Sequence, residues 1–187
     1  MKKHIITSLL YTVVTAVLLG IGYPLVITGI AHVMFPQQAS GGLIYDAHGQ
    51  VIGSKLIGQP FTGATYFHSR PSAAGAGYDA GNSSGSNLGP TNQALITRVD
   101  QSVAAVHSTS VPIDLVTTSG SGLDPDITPA AAYFQVSAVA AARHMTESQV
   151  HDLVESHVTP RQLGILGEPR VNVLQLNLAL DQLHPMK

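Results

Sequence analysis

The feature that most constrains this chain is a run near its start, Ile5 to Ile30, without a single Asp, Glu, Lys or Arg. Fourteen of its twenty-six residues are Leu, Ile or Val. A helix of roughly 20 apolar residues covers a hydrocarbon core of about 30 Å. Each central aliphatic favours insertion by roughly 0.3–0.6 kcal/mol, so such a run gains at most about 4–8 kcal/mol. That margin tolerates Pro24, three glycines and several hydroxyls, whose polar groups can be satisfied within a helix bundle. The alternatives are a buried helix of a soluble protein or a signal peptide. A signal peptide has an apolar core of only about 7–15 residues, and Ala39-Ser40-Gly41 is a poor cleavage site. With no cysteine in the chain, lipoprotein attachment is excluded. The sequence predicts one uncleaved transmembrane helix over 5–30.

Lys2 and Lys3 precede this span, and no basic residue follows it until Lys55. The positive-inside rule then leaves residues 1–4 in the cytoplasm and carries the remainder across the membrane. Residues 31–42 read as a linker and 43–187 as one extracytoplasmic domain. The expected location is the cell inner (plasma) membrane, single-pass, with the lipid bilayer as a partner. Beyond Ile30 there are seven Lys plus Arg against eleven Asp plus Glu, a net of −4. This mild, scattered acidity gives no footprint for nucleic acid.

The domain reads as α+β, with a small β-sheet and several helices. Leu43-Ile44-Tyr45 and Val51-Ile52 flank Asp46-Ala47-His48-Gly49 as a hairpin in which Gly49 takes a positive φ. Thr65-Tyr66-Phe67 is a short candidate strand. The long Ala/Gly/Ser/Asn stretch from Ser72 to Pro90 is unusual in a compact domain unless it has a role. A helix is predicted from a Thr91 cap to His107, then a strand over Ile113 to Thr117 and a second glycine-serine loop. Thr128 with Pro129 starts a helix to His144. Thr146 and Gln149 form a capping box for the next, and Thr159-Pro160 starts a further helical turn. Val171 to Leu183 alternates like a strand and also carries a helical stripe; its leucine-rich composition favours helix.

Several chemical constellations fail on context. Gly81-Asn82-Ser83-Ser84-Gly85 matches G-x-S-x-G, but a nucleophile elbow needs a buried strand before it and a helix after it. No phosphate-loop pattern is present. Gly120-Ser121-Gly122 before a helix start would attract an anion, but Asp124 and Asp126 at that start would repel it. Those two carboxylates alone are weak grounds for a cation site. The nine histidines are dispersed, with no zinc spacing. No catalytic or metal residue is expected.

Longer motifs are more specific. Gly53-Ser54-x-Leu56-Ile57-Gly58-Gln59, Tyr66-Phe67-x-x-Arg70-Pro71-Ser72-Ala73 and Ser83-Ser84-Gly85-Ser86-Asn87-Leu88-Gly89-Pro90 come in this order. Val111-Pro112-x-Asp114-Leu115-Val116-Thr117-x-Ser119-Gly120-Ser121-Gly122-Leu123-Asp124-Pro125 and Leu166-Gly167-Glu168-Pro169-Arg170-Val171-Asn172-Val173-Leu174 follow. With the N-terminal span, this resembles the C subunit of the Kdp high-affinity potassium-importing ATPase of prokaryotes, over nearly the whole chain. Two positions depart from it: Asp126 stands where the resemblance leads one to expect His, and His144 where it leads one to expect glycine.

The resemblance implies a complex with a channel-like subunit that binds potassium and a P-type ATPase subunit that hydrolyses ATP. The C subunit would be a non-catalytic companion, needed for assembly and proposed to act as a catalytic chaperone that raises the ATPase subunit's affinity for ATP. ATP and potassium would be used by the complex, with no cofactor bound by this chain alone. ATP is cytoplasmic while the domain is expected outside, so no residues here are assigned to nucleotide. The expected role is assembly and modulation, the outer domain covering the entrance of the potassium-binding subunit. Candidate docking or support loops are Ser83, Ser84, Gly85, Ser86, Asn87, Leu88 and Gly89, with Ser119, Gly120, Ser121, Gly122 and Asp124. Ser8, Thr12, Ala16 and Gly20 form a ridge of small side chains suited to a helix interface in lipid. The other class left open is a stand-alone membrane-anchored cell-envelope hydrolase or binding protein.

Overall fold

A computed structural model describes residues 1–106, 108 and 110–185. The chain divides into two compact units, Met1–Leu43 and Ile44–Lys187.

The first unit is dominated by one continuous helical rod, Lys2–Met34, long and apolar enough to cross a membrane. At about 1.5 Å per residue its 33 residues extend about 50 Å, beyond both expected ends. It is not uniform. Helix α1 (Lys2–Val17) passes into a π-helical segment, Leu18–Gly22, before helix α2 (Tyr23–Met34). The cause is Pro24, which has no N–H for the carbonyl four residues back and whose ring crowds it. A wider turn resolves that conflict. Hydroxyls in the rod bond to their own backbone, as in Thr15 Oγ1 to the Tyr11 carbonyl at 2.8 Å and Ser8 Oγ to Ile5 at 2.9 Å. The segment read as a linker contains the end of α2 and one further helical turn, α3 (Pro36–Ala39).

The second unit begins within the hairpin of β1 (Leu43–Tyr45) and β2 (Val51–Ser54), at Ile44. Asp46 Oδ1 accepts the His48 and Gln50 N–H groups at 2.8 Å each, and Gly49 takes φ 76°, as the turn residues predict. Helix α4 (Gln93–Val106) begins one residue after Asn92, whose side chain accepts the Ala94 N–H; the cap is thus Asn92 and not Thr91. The expected end at His107 lies outside the described residues. Residues 113–115 form a 3-10 turn, not a strand. Pro112 precedes it, and the buried Asp114 carboxylate accepts the Thr128 N–H at 2.7 Å.

The core is built by three helices against a narrow sheet. Strands β3 (Asp126–Ile127), β4 (Val158–Thr159) and β5 (Arg170–Asn172) are antiparallel in the order β3-β5-β4. Ile127 and Val158 both pair with Val171. Helix α5 (Pro129–Arg143) starts on Thr128, which accepts the Ala131 N–H. It buries small residues, Ala131, Ala132, Val136, Val139 and Ala140, so its neighbours approach closely. Helix α6 (Glu147–Ser156) has the full Thr146–Gln149 capping box. Helix α7 (Val173–Leu183) starts on an Asn172 cap, directly after β5, and buries Leu176 and Leu180; the ambiguous last segment is therefore helix except for Val171 and Asn172, which belong to β5. Each such aliphatic contributes about 1.5–3 kcal/mol by leaving water. The helical turn expected at Thr159-Pro160 is replaced by β4 and a tight loop closed by a Gln162–Leu166 bridge.

Thr65–Phe67 is not a strand: Thr65 lies in a turn and Tyr66 in a bend. Asn177 from α7 takes the place of a pairing strand: its side chain accepts the Phe67 N–H and donates to the Phe67 carbonyl, both at 2.9 Å. Phe67 itself is fully buried. Beside it, buried Arg143 donates to the Thr65 carbonyl at 2.6 Å, the Asp181 carboxylate at 2.7 Å and the His184 carbonyl at 3.1 Å. Its guanidinium also lies over the Tyr66 ring. The charge is buried with its hydrogen bonds met, which is the condition for tolerating it.

Candidate functional site

The two glycine-serine loops named from the sequence lie against each other. Ser83 Oγ donates to the Ser121 carbonyl and Ser84 Oγ to the Ala73 carbonyl, both at 2.9 Å. Ser72 Oγ donates to the Gly122 carbonyl at 2.6 Å while accepting the Ala74 and Tyr78 N–H groups. The contact is backbone on backbone, and glycine is what permits it. A Cβ on Gly85 would stand 2.9 Å from the Gly120 carbonyl oxygen, and one on Gly122 2.5 Å from that of Ser84. Gly122 also has φ 69°. Ser121 Oγ accepts the Leu123 N–H at 3.1 Å. Asn87 is exposed in the left-handed region, φ 53°, and Leu88 and Ser86 are half-buried beside it. Ser83 therefore sits in a loop-to-loop contact, away from any strand-to-helix turn.

Arg70 ties this region together. Its guanidinium reaches the Asp124 carboxylate at 3.3 Å, the Thr117 hydroxyl at 3.3 Å and the Thr118 carbonyl at 3.4 Å. The half-buried Tyr78 donates its hydroxyl to the Arg70 carbonyl at 2.5 Å, and burial raises its pKa. Asp124 and Asp126 are not at a helix start, as the sequence reading placed them. Asp126 opens β3, and two residues, Ile127 and Thr128, separate it from the first residue of α5. Each carboxylate has an arginine, Asp124 with Arg70 and Asp126 with Arg170 at 3.0 Å. Asn172 Nδ2 donates to Asp126 at 3.0 Å. Burial still pushes the Asp126 carboxyl above its ordinary value, against the lowering effect of Asn172 and Arg170. Arg70, Asp124, Asp126 and Arg170 line a cleft of about 250 Å³ that also includes Asp114 and Glu168.

A second cavity, about 680 Å³, is bounded by Phe61, Tyr66, Phe134, Val139 and the end of α4. The polar groups on its wall bond within the chain: His68 Nε2 to the Gly63 carbonyl at 2.9 Å, and Gln135 to both backbone groups of His68. Among the described residues no group of three or more His, Cys, Asp or Glu side chains is placed to hold a metal ion. Of the membrane-helix residues, Ser8, Thr12 and Ala16 lie on α1 and Gly20 in the π-helical segment; all are exposed. Sequence patterns did not reveal the roles of Arg70, Arg143 and Asn177, because their partners are 38 to 110 residues away.

These observations define a class: one helix of membrane-crossing length followed by one α+β domain whose serine-rich loops are committed to backbone contacts. A family model described as K+-transporting ATPase, c chain (KdpC) matches residues 5–182. The chain belongs to that family, the one its motifs resemble. The Potassium-transporting ATPase KdpC subunit of Acidobacterium capsulatum is 62% identical over 184 residues, spanning 97% of this chain and 100% of the relative. That of Koribacter versatilis is 60% identical over 100% of this chain and 98% of its own length. The subunit of Caulobacter vibrioides is 53% identical over 99% and 96%.

Proposed function

We propose that this chain is a non-catalytic accessory subunit of a high-affinity, ATP-driven potassium import complex. Its helix holds it in the cell inner membrane, with the N-terminus in the cytoplasm and the α+β domain outside. Its partners are a channel-like subunit that binds potassium and a P-type ATPase subunit. The observation that carries this reading is the family match over 5–182 in a chain whose Lys2–Met34 rod is of membrane-crossing length. Lys2 and Lys3 at one end, against no basic residue before Lys55 at the other, support the orientation. The domain acts by contact. Its interlocked loops 83–89 and 119–124 present backbone and small side chains to a neighbouring subunit, and the domain covers the entrance of the potassium-binding subunit. Raising the ATPase subunit's affinity for ATP, the chaperone role, then works through that contact. ATP and potassium belong to the complex, with no cofactor held by this chain alone.

Deletion of the chain is expected to abolish growth at micromolar potassium, and the full chain to co-purify with the two large subunits. A reporter fused after the domain should be active only outside the cytoplasm. Normal growth on scarce potassium without the chain would overturn the subunit reading. An active cytoplasmic reporter would overturn the orientation.

A further inference from the structure

The loop between β4 and β5 ends in a turn whose two central residues, Leu163 (φ 54°) and Gly164 (φ 77°), are both left-handed. The Ile165 N–H closes it onto the Gln162 carbonyl at 3.2 Å. Two positive φ angles make this a type I′ arrangement, in which Asn, Asp or Gly normally takes the first position. Leucine there crowds its own backbone. Packing within the chain does not compensate, since Leu163 is 88% exposed, and Ile165 and Leu166 beside it are 75% and 55% exposed. The loop is nevertheless held in shape. Gln162 N–H donates to the Leu166 carbonyl at 2.9 Å, and Arg161 pairs with Glu168 at 2.5 Å across its base. One residue thus carries two local costs, strain and exposed apolar surface, on a braced support. Left-handed residues other than glycine cluster at sites that serve something outside the local fold, and Leu163 closes no helix, unlike the left-handed His144 at the end of α5.

We propose that Leu163, Ile165 and Leu166 form a docking knob that enters an uncharged, apolar pocket on a protein subunit of the transport complex. The proposal rests on reading the chain as a subunit of that complex. A protein pocket fits this knob better than a bilayer does. Lipid accepts leucine in any conformer and gives no reason to fix one. Loops that dip into membranes draw on Trp or Tyr and on unpaired Lys or Arg. This turn has no aromatic residue, its Arg161 is paired with Glu168, and Arg170 is paired with Asp126.

Two variants of the full-length chain test it. Leu163→Asn places a preferred residue in the same turn, so the melting temperature should hold or rise. Recovery of the large subunits with this variant should nevertheless fall several-fold. A merely structural leucine would give the opposite pair of results. Leu163→Cys introduces a single cysteine into a chain that has none. It should react with a water-soluble maleimide when the chain is alone in lipid vesicles and be protected in the assembled complex. Wild-type recovery by Leu163→Asn, with the wild-type chain also recovered, overturns the knob alone. Protection of Leu163→Cys in vesicles without partners overturns it in favour of burial in lipid. Failure of the wild-type chain itself to recover the large subunits removes the subunit reading, and the knob with it.

Discussion

At His144 the backbone turns left-handed, φ 56°, to close α5. Met145 N–H reaches the Ala140 carbonyl at 2.9 Å and His144 N–H the Ala141 carbonyl at 3.3 Å, the pair of bonds that defines a Schellman end. The glycine expected there from the family resemblance has a physical reason, since a Cβ in this conformation costs about 1–2 kcal/mol. Glycine also loses about 0.4–1 kcal/mol through its freer unfolded chain. His144→Gly should therefore stabilise the chain by about 0.5–1 kcal/mol, read from its denaturant midpoint. The other departure, Asp126, predicts a pH effect. Its native pKa is raised above the ordinary 3.8, so the folded chain holds this proton more tightly than the unfolded chain. This carboxyl supports folding most below that value, and its contribution falls as pH rises through the raised native one. The difference in melting temperature between wild type and Asp126→Asn, followed over pH, should show that fall. A difference flat across the acidic range would contradict it.

Among the elements, the interlocked loops make the sharpest demand on sequence. Gly122→Ala adds a Cβ at φ 69°, against the Ser84 carbonyl oxygen at 2.5 Å and the Ala74 nitrogen at 2.7 Å, both backbone atoms that cannot swing aside. A loss of at least about 2 kcal/mol is expected. Gly120→Ala, which meets nothing within 4 Å, is the matched control. Thermal melts of the two variants side by side decide it. Elements whose signals are local were legible in the sequence: the Asp46–Gly49 turn, the Thr128-Pro129 start and the Thr146–Gln149 box each act within four residues. Elements that depend on distant partners were not. Thr65–Phe67 has the composition of a strand, yet a side chain 110 residues away satisfies its backbone. Strands β3, β4 and β5, of two or three residues, are too short to show a period. In the loops the serines and glycines were visible, but which hydroxyl meets which carbonyl was not. The turn at Leu163 escaped because leucine is not a turn residue.

At the scale of the whole molecule, the span and the domain make separable demands. Replacing Ala16 by Leu or Gly20 by Ile thickens the small-residue ridge without touching the domain. If close helix packing holds the span to its neighbours, these variants should lower recovery of the complex in detergent and potassium uptake, while the melting of the domain stays unchanged. Full recovery with both would leave assembly to the domain alone. The π-helical segment at Leu18–Gly22 adds a geometric consequence. A wider turn accommodates one extra residue, and each residue of an α-helix advances about 100°. The stripe that runs through Ser8, Thr12 and Ala16 is therefore not continued by the same four-residue spacing beyond Gly22. Thr28 and His32 point along a different meridian. A single span divided in this way offers two compass bearings at two depths of the bilayer, so one thin helix can be read by two neighbours that do not share a side.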